Sequence, residues 1–140
     1  EFTAQSSPIE QQQWQLIEQT LSTYTNQIPT LANLQDDLKL DGVSLHAQLQ
    51  RAVNDGRVCK VGIKRFILCT QLSLFAHAVC ELAEATPRFS VVETKNHLGL
   101  GRNSCIQLLE YFDHIGLTRR DGERRTVIDK GLPDRVLSVS

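Results

Sequence analysis

Arg119, Arg120, Arg124 and Arg125 fall within seven positions, on both sides of the dipeptide Asp121-Gly122. A guanidinium presents a planar fork of N–H donors that matches phosphate oxygens, so four of them on one short segment can hold a polyanion. Upstream, Gly101-Arg102-Asn103-Ser104 opens a stretch with helical periodicity. The N–H groups of a helix start, with the positive end of the helix dipole, form a second phosphate-binding element. Arg102 adds a fork suited to phosphate or a guanine edge, and Asn103 and Ser104 can hydrogen-bond a base or sugar. Lys95, Asn96 and Gly101 complete the candidate binding set. The competing readings are ordinary ones: arginines on an exposed hairpin blunt an edge strand, and Asn103 or Ser104 caps a helix. Placement of the basic hairpin directly after the helix favours binding.

These residues need a helix, a preceding helix and a hairpin to hold them. Cys105, Ile106, Leu108, Leu109, Phe112 and Ile115 repeat at helical spacing over 102–115, leaving Arg102, Asn103, Gln107, Glu110, Asp113 and His114 largely on other faces. Ser90-Val91-Val92-Glu93 has the spacing of a capping box, so a short helix starts there and ends at Gly99 in the left-handed conformation. Leu72, Phe75, Ala76, Val79 and Ala83 stripe an earlier helix that Pro87 closes off. Asp121-Gly122 is read as the two-residue turn of the hairpin. That turn pairs Arg120 with Glu123, Arg119 with Arg124 and Thr118 with Arg125. Arg119 and Arg124 would then be like charges in direct opposition, relieved by a phosphate between them.

The first half repeats this order. Trp14, Ile17, Leu21 and Tyr24 stripe one helix, Thr30 caps a second, and Asp41-Gly42 leads into a third that buries Leu45, Leu49, Ala52 and Val53. Val58–Val61 and Arg65–Cys69 flank Gly62 as a hairpin in which Cys59 faces Lys64. At an offset of sixty residues Leu38, Leu40, Leu49, Gly56 and Gly62 meet Leu98, Leu100, Leu109, Gly116 and Gly122, and Lys64-Arg65 meets Arg124-Arg125. The expected fold is mainly α with small β-hairpins: two tandem winged helix-turn-helix domains over 9–69 and 70–140, joined too tightly for a flexible linker. Residues 1–8 are expected to be a polar lead-in, partly cloning-derived at Glu1-Phe2, and the absence of methionine suggests an excised fragment.

The net charge of −1 does not exclude a nucleic-acid partner, because binding follows where charge lies. Residues 1–69 hold six Lys/Arg against seven Asp/Glu, and 70–140 hold nine against nine, so the basic character is local to the second hairpin. No apolar run reaches the ~18 residues of a membrane span. Cys59, Cys69, Cys80 and Cys105 lack metal or redox spacing and read as small apolar residues of a reducing, cytoplasmic compartment. His46, His77, His97 and His114 are scattered without ligand spacing, and no phosphate-binding loop of the nucleoside-triphosphatase type is present. No catalytic residue, metal or cofactor is expected.

Gly99-Leu100-Gly101-Arg102, Ile106-Gln107-Leu108-Leu109-Glu110-Tyr111-Phe112-Asp113 and Gly116-Leu117-Thr118-Arg119-Arg120-Asp121-Gly122 resemble the last winged-helix domain of bacterial selenocysteine-specific translation elongation factors, the SelB type. The resemblance is clear over 90–128; the first half resembles another member of that family's winged-helix array. It implies an RNA-binding tail that grips a messenger-RNA hairpin, the selenocysteine insertion element. Lys95, Arg102, Asn103 and Ser104 would match the family's helix-turn-helix contacts, and the four wing arginines its basic wing. It further implies a monomer that meets the ribosome and selenocysteyl-tRNA through the parent protein, whose GTPase lies elsewhere. Asn103 stands where the family often has lysine, and His97 where it often has arginine.

Specific RNA readers take unstacked loop bases while phosphates fix the register. Five to seven phosphate contacts imply a log-log salt slope of roughly −3.5 to −5. Two alternatives use the same fold: a DNA-reading transcription regulator with the helix in the major groove, and a protein-interaction scaffold. The near-neutral first half is expected to act as a spacer and orienting arm.

Overall fold

The computed structural model describes residues 8–135, and the lead-in expected over 1–8 lies outside it up to residue 7. Helix α1, Pro8–Thr23, begins on a proline, whose missing N–H costs nothing in a first turn. Thr30 caps α2, Leu31–Leu38, through a reciprocal capping box with Asn33. The Asp41 carboxylate accepts from the Ser44 N–H to start α3, Gly42–Asn54. Caps of this kind each contribute about 1 kcal/mol. Strands β1, Val58–Val61, and β2, Arg65–Leu68, form an antiparallel hairpin. Ile17, Leu21, Leu34, Leu45, Leu49, Ala52, Val58, Phe66 and Leu68 close one core around these elements.

Helix α4, Cys69–Ala85, follows β2 without an intervening residue. The Cys69 N–H donates to Arg57 O at 3.0 Å, extending the hairpin ladder into the first residue of the helix. The chain continues as β3, Phe89–Ser90; α5, Val91–Leu98; α6, Arg102–Ile115; β4, Thr118–Asp121; β5, Arg124–Val127; and α7, Leu132–Arg135. Ser90 and Glu93 form the expected capping box, and Gly99 ends α5 at φ 75°. The second sheet has the order β3-β5-β4, antiparallel throughout. Its counterpart in the first half is the hairpin plus a single Thr30–Arg65 bridge. Helices α2 and α3 and strand β1 start at 31, 42 and 58, and α5, α6 and β4 start at 91, 102 and 118, the same offset seen in the sequence.

A second core holds Leu72, Ala76, Val79, Phe89, Leu108, Leu109, Phe112 and Leu117, each side chain of the size of Leu or Phe contributing about 1.5–3 kcal/mol. Ile28, Val61 and Ile67 from the first half belong to this core as well, so the halves share packing. No helix among the described residues is long and apolar enough to cross a membrane. Cys105 is buried; Cys59, Cys69 and Cys80 are half-buried, with the Cys59 and Cys69 sulfurs 2.8 Å apart. Burial pushes the Cys59 thiol up to about 12 and Cys105 up to about 11, which disfavours reactive thiolate at neutral pH.

Both hairpin registers differ from expectation. In the first, Cys59 faces Ile67 and Val61 faces Arg65, so Gly62, Ile63 and Lys64 form a three-residue loop. In the second, Asp121 faces Arg124, Arg120 faces Arg125 and Arg119 faces Thr126. The loop is Gly122-Glu123, not Asp121-Gly122. Only Gly122, at φ 67°, takes a positive φ, whereas the expected turn would have placed Asp121 in the left-handed region too. The Arg119–Arg124 repulsion therefore does not exist, and the opposed like charges are Arg120 and Arg125.

Helix α7 docks on α4 through His77, whose Nδ1 lies 2.8 Å from Ser73 O and Nε2 2.9 Å from Asp134 Oδ1. Both partners only accept, so the imidazole must be doubly protonated to donate to each. The Asp134 hydrogen bond, then that to Ser73, raises its pKa. A raised pKa contributes stability that is complete below the ordinary histidine value and is lost as pH rises through the folded value. Nuclear magnetic resonance should show the Leu132–Arg135 amides titrating together with His77. Asp134→Asn should lower the midpoint, and amides that ignore His77 would refute the clasp.

Candidate nucleic-acid interface

Helix α6 positions the candidate residues because one stripe is apolar and the remainder is not. Cys105, Leu108, Leu109 and Phe112 are buried, while Arg102, Asn103 and Glu110 face outward. Gly101 is its N-cap, in extended conformation and without a side-chain cap, so the first turn is left to other acceptors. Strands β4 and β5 then return alongside the helix and bring Arg120 and Arg125 to the same side as Arg102. These three arginines, with Ser90, Val91, Val92, Ile106, Glu110 and Glu123, line a hollow of about 240 Å³. Helix start and wing thus meet in one concavity, with two carboxylates also on its wall.

The ten candidates divide by what they touch. Arg102, Asn103, Arg119 and Arg120 are exposed, and none pairs with a carboxylate among the described residues; Arg120 Nε donates to Gly122 O at 2.8 Å. Arg119 lies on the opposite face of β4 from Arg120. Arg124, also exposed, donates to Arg88 O at 2.9 Å and pairs with Glu93 at 3.4 Å, while Arg88 pairs with Asp121 at 3.0 Å. Those bonds tie the wing to the start of α5. Lys95 and Asn96 line neither the hollow above nor the cavity below. The Lys95 carbonyl accepts from Gly99 and Leu100 to close α5.

Besides Arg124, three candidates have structural partners that sequence reasoning missed. Arg125 is only 4% exposed; its Nε lies 3.1 Å from both carboxylate oxygens of Asp113 and its Nη2 3.0 Å from one. Asp113 also accepts from the Thr118 hydroxyl at 2.6 Å, so one carboxylate of α6 fastens both wing strands. Ser104 is buried, and its Oγ accepts from the Ile28 N–H at 2.9 Å. The Gly101 N–H donates to Asn26 O at 2.8 Å. The connection between α1 and α2 therefore lies across the start of α6 and takes up part of the donor set that looked open.

Arg65 completes that contact. Its Nη1 donates to Ile28 O and its Nε to Gln107 Oε1, with Ser104 Oγ at 3.4 Å from Nη1. A cavity of about 400 Å³ opens beside it, lined by Asn26, Gln27, Arg65, Gly101, Arg102, Asn103 and Ser104. The only sequence signal for Arg65 was its alignment with Arg125. Nothing in the sequence marked Asn26 or Gln27, and Gln107 stood out only as a polar residue off the apolar stripe of its helix. Among the described residues no cluster of His, Cys, Asp and Glu has the makings of a metal site.

Residues 81–127 match the family model described as elongation factor SelB, winged helix. The selenocysteine-specific elongation factor of Haemophilus influenzae is 26% identical over 134 residues, 96% of this chain and 22% of the relative. That of Escherichia coli is 29% identical over 89 residues, 64% of this chain and 14% of the relative. The chain thus spans under a quarter of the length of either relative. Among solved structures, the mRNA-binding domain of elongation factor SelB from E. coli in complex with SECIS RNA matches with a TM-score of 0.75 at 26% identity, covering 89% of this chain and all of that one. A bacterial selenocysteine-specific elongation factor, EF-Sec, matches at 0.61 and 27% identity, over 81% of this chain and 18% of that one.

Proposed function

Because family model, curated relatives and solved structures agree on a SelB-type winged-helix fragment, we propose that this chain is the RNA-binding tail of a selenocysteine-specific elongation factor and grips a messenger-RNA hairpin. The observation that carries this reading is the hollow where Arg102 of the helix start and Arg120 of the wing converge, neither of them ion-paired among the described residues although Glu110 and Glu123 share the wall. Phosphates on either side of a hairpin apex would lie against these two guanidiniums, and Asn103 would reach a base or sugar edge. Lys95, Asn96, Arg119 and Arg124 form the outer rim. Arg125 and Ser104 hold the two basic elements in place and leave the contact set. With four or five phosphates engaged the salt slope becomes roughly −3 to −3.5.

In this reading residues 70–140 bind and 9–69 orient them, as two tandem winged helices. The chain itself performs no catalysis, acts in the cytoplasm as a monomer, and meets the ribosome and selenocysteyl-tRNA only through the parent protein. A DNA reader of the same fold makes the opposite demand on ligand chemistry. Competition between RNA and DNA versions of one hairpin, taking the SECIS RNA of the E. coli relative as the first probe, should favour RNA at least about tenfold because only RNA offers the 2′-hydroxyl. Equal affinity, or preference for the DNA duplex, would overturn the assignment.

A further inference from the structure

We propose that the cavity between the two halves is a phosphate subsite to which the first half contributes Gln27 and Arg65, making that half part of the RNA-binding surface and not only a spacer. The inference rests on the RNA reading above. Arg65 and Arg125 are sixty residues apart and both are drawn inward, but the three-residue loop of the first hairpin turns Arg65 to the face of Val61 and Ile67, toward the second half of the molecule, whereas Arg125 lies on the face of Thr118 and Arg120. Arg125 meets Asp113. Arg65, turned toward the other half, has no ion pair of that kind among the described residues.

Its named acceptors, the Ile28 carbonyl, the Gln107 amide and the Ser104 hydroxyl, are neutral. A half-buried guanidinium among neutral groups keeps its charge uncompensated, and an anion in the adjoining space would complete the pair. That space is the 400 Å³ cavity, into which Arg102 and Asn103 also face and which no carboxylate lines. The hollow on the other side of Arg102, by contrast, has Glu110 and Glu123 on its wall. Electrostatics alone therefore makes the cavity the better phosphate seat of the two. Arg102, common to both, would bridge successive phosphates of one strand.

Gln27 is exposed on the cavity rim, so its charge can be changed without disturbing a core. Gln27→Glu should weaken binding of the SECIS RNA hairpin about tenfold at low salt and flatten the salt slope by about 0.7. Gln27→Arg should strengthen binding and steepen the slope by a similar amount. Gln11→Glu, near the other end of α1, serves as the charge control and should change neither. In parallel, inorganic phosphate should shift the Gln27, Arg102 and Asn103 amides in the wild type and not in Gln27→Glu.

Gln27 variants that bind like wild type while Arg120→Glu binds weakly would sink the subsite and leave the RNA reading intact. A wild type that ignores hairpin RNA would sink the RNA reading, and the phosphate titration would then decide the subsite alone. Absence of phosphate-induced shifts there would overturn it.

Discussion

Replacing Asp113 by alanine should lower the unfolding free energy by about 3 kcal/mol, the largest single loss expected from any one polar side chain among the described residues. The cause is the guanidinium left behind. Arg125 is 4% exposed, and without Asp113 it would keep a charge largely shielded from water and without its ion-pair partner. Thr118, which is buried, would lose its acceptor in the same step. Asp113→Asn should cost less, because the amide oxygen still accepts from Thr118. The double variant Asp113→Leu with Arg125→Met should recover most of the loss, since breaking a buried pair is worse than replacing it with apolar groups. Urea denaturation of the three variants checks the set. A loss under about 1 kcal/mol for Asp113→Ala would return Arg125 to the list of free wing arginines.

This prediction depends on a register that the sequence could not decide. Moving the second hairpin's turn by one residue shifts every cross-strand pair by two, which keeps each side chain on its face. Thr118 and Arg125 point inward in either register, so alternation of apolar and polar residues gives no preference. What decides is the backbone: the observed loop asks for a positive φ at Gly122 alone. Helix boundaries were legible for the opposite reason, since caps are local. Thr30, Ser90 with Glu93, and Gly99 act within four residues of themselves and stand where their spacing put them.

Ser104 and Arg65 were opaque because their partners lie far along the chain. The Ser104 acceptor serves an N–H 76 positions away, and Arg65 reaches Gln107 across 42. A serine three residues into a helix and an arginine at the start of a strand look the same whether they face solvent or another half of the molecule. Strand β3 was missed because two residues carry no periodicity, and its pairing with β5 is set by the return of the wing. The site was thus legible as two basic elements. It was not legible which of their residues hold the elements together and which are left to meet a ligand.

That division fixes where charge reversal should matter. Arg102 and Arg120 are exposed, make no ion pair among the described residues, and share one hollow, so changing both should leave stability within about 0.5 kcal/mol per site. Reversing both replaces two attractive contacts to phosphate with two repulsive ones. The most direct measurement is therefore the affinity of Arg102→Glu, Arg120→Glu for the SECIS RNA hairpin against wild type, with unfolding followed on the same samples. A loss of at least about a hundredfold, a salt slope shallower by about 1.4, and an unchanged melting transition are expected. Affinity within about threefold of wild type, on a protein that still folds, would contradict the placement of the RNA site at the junction of helix and wing.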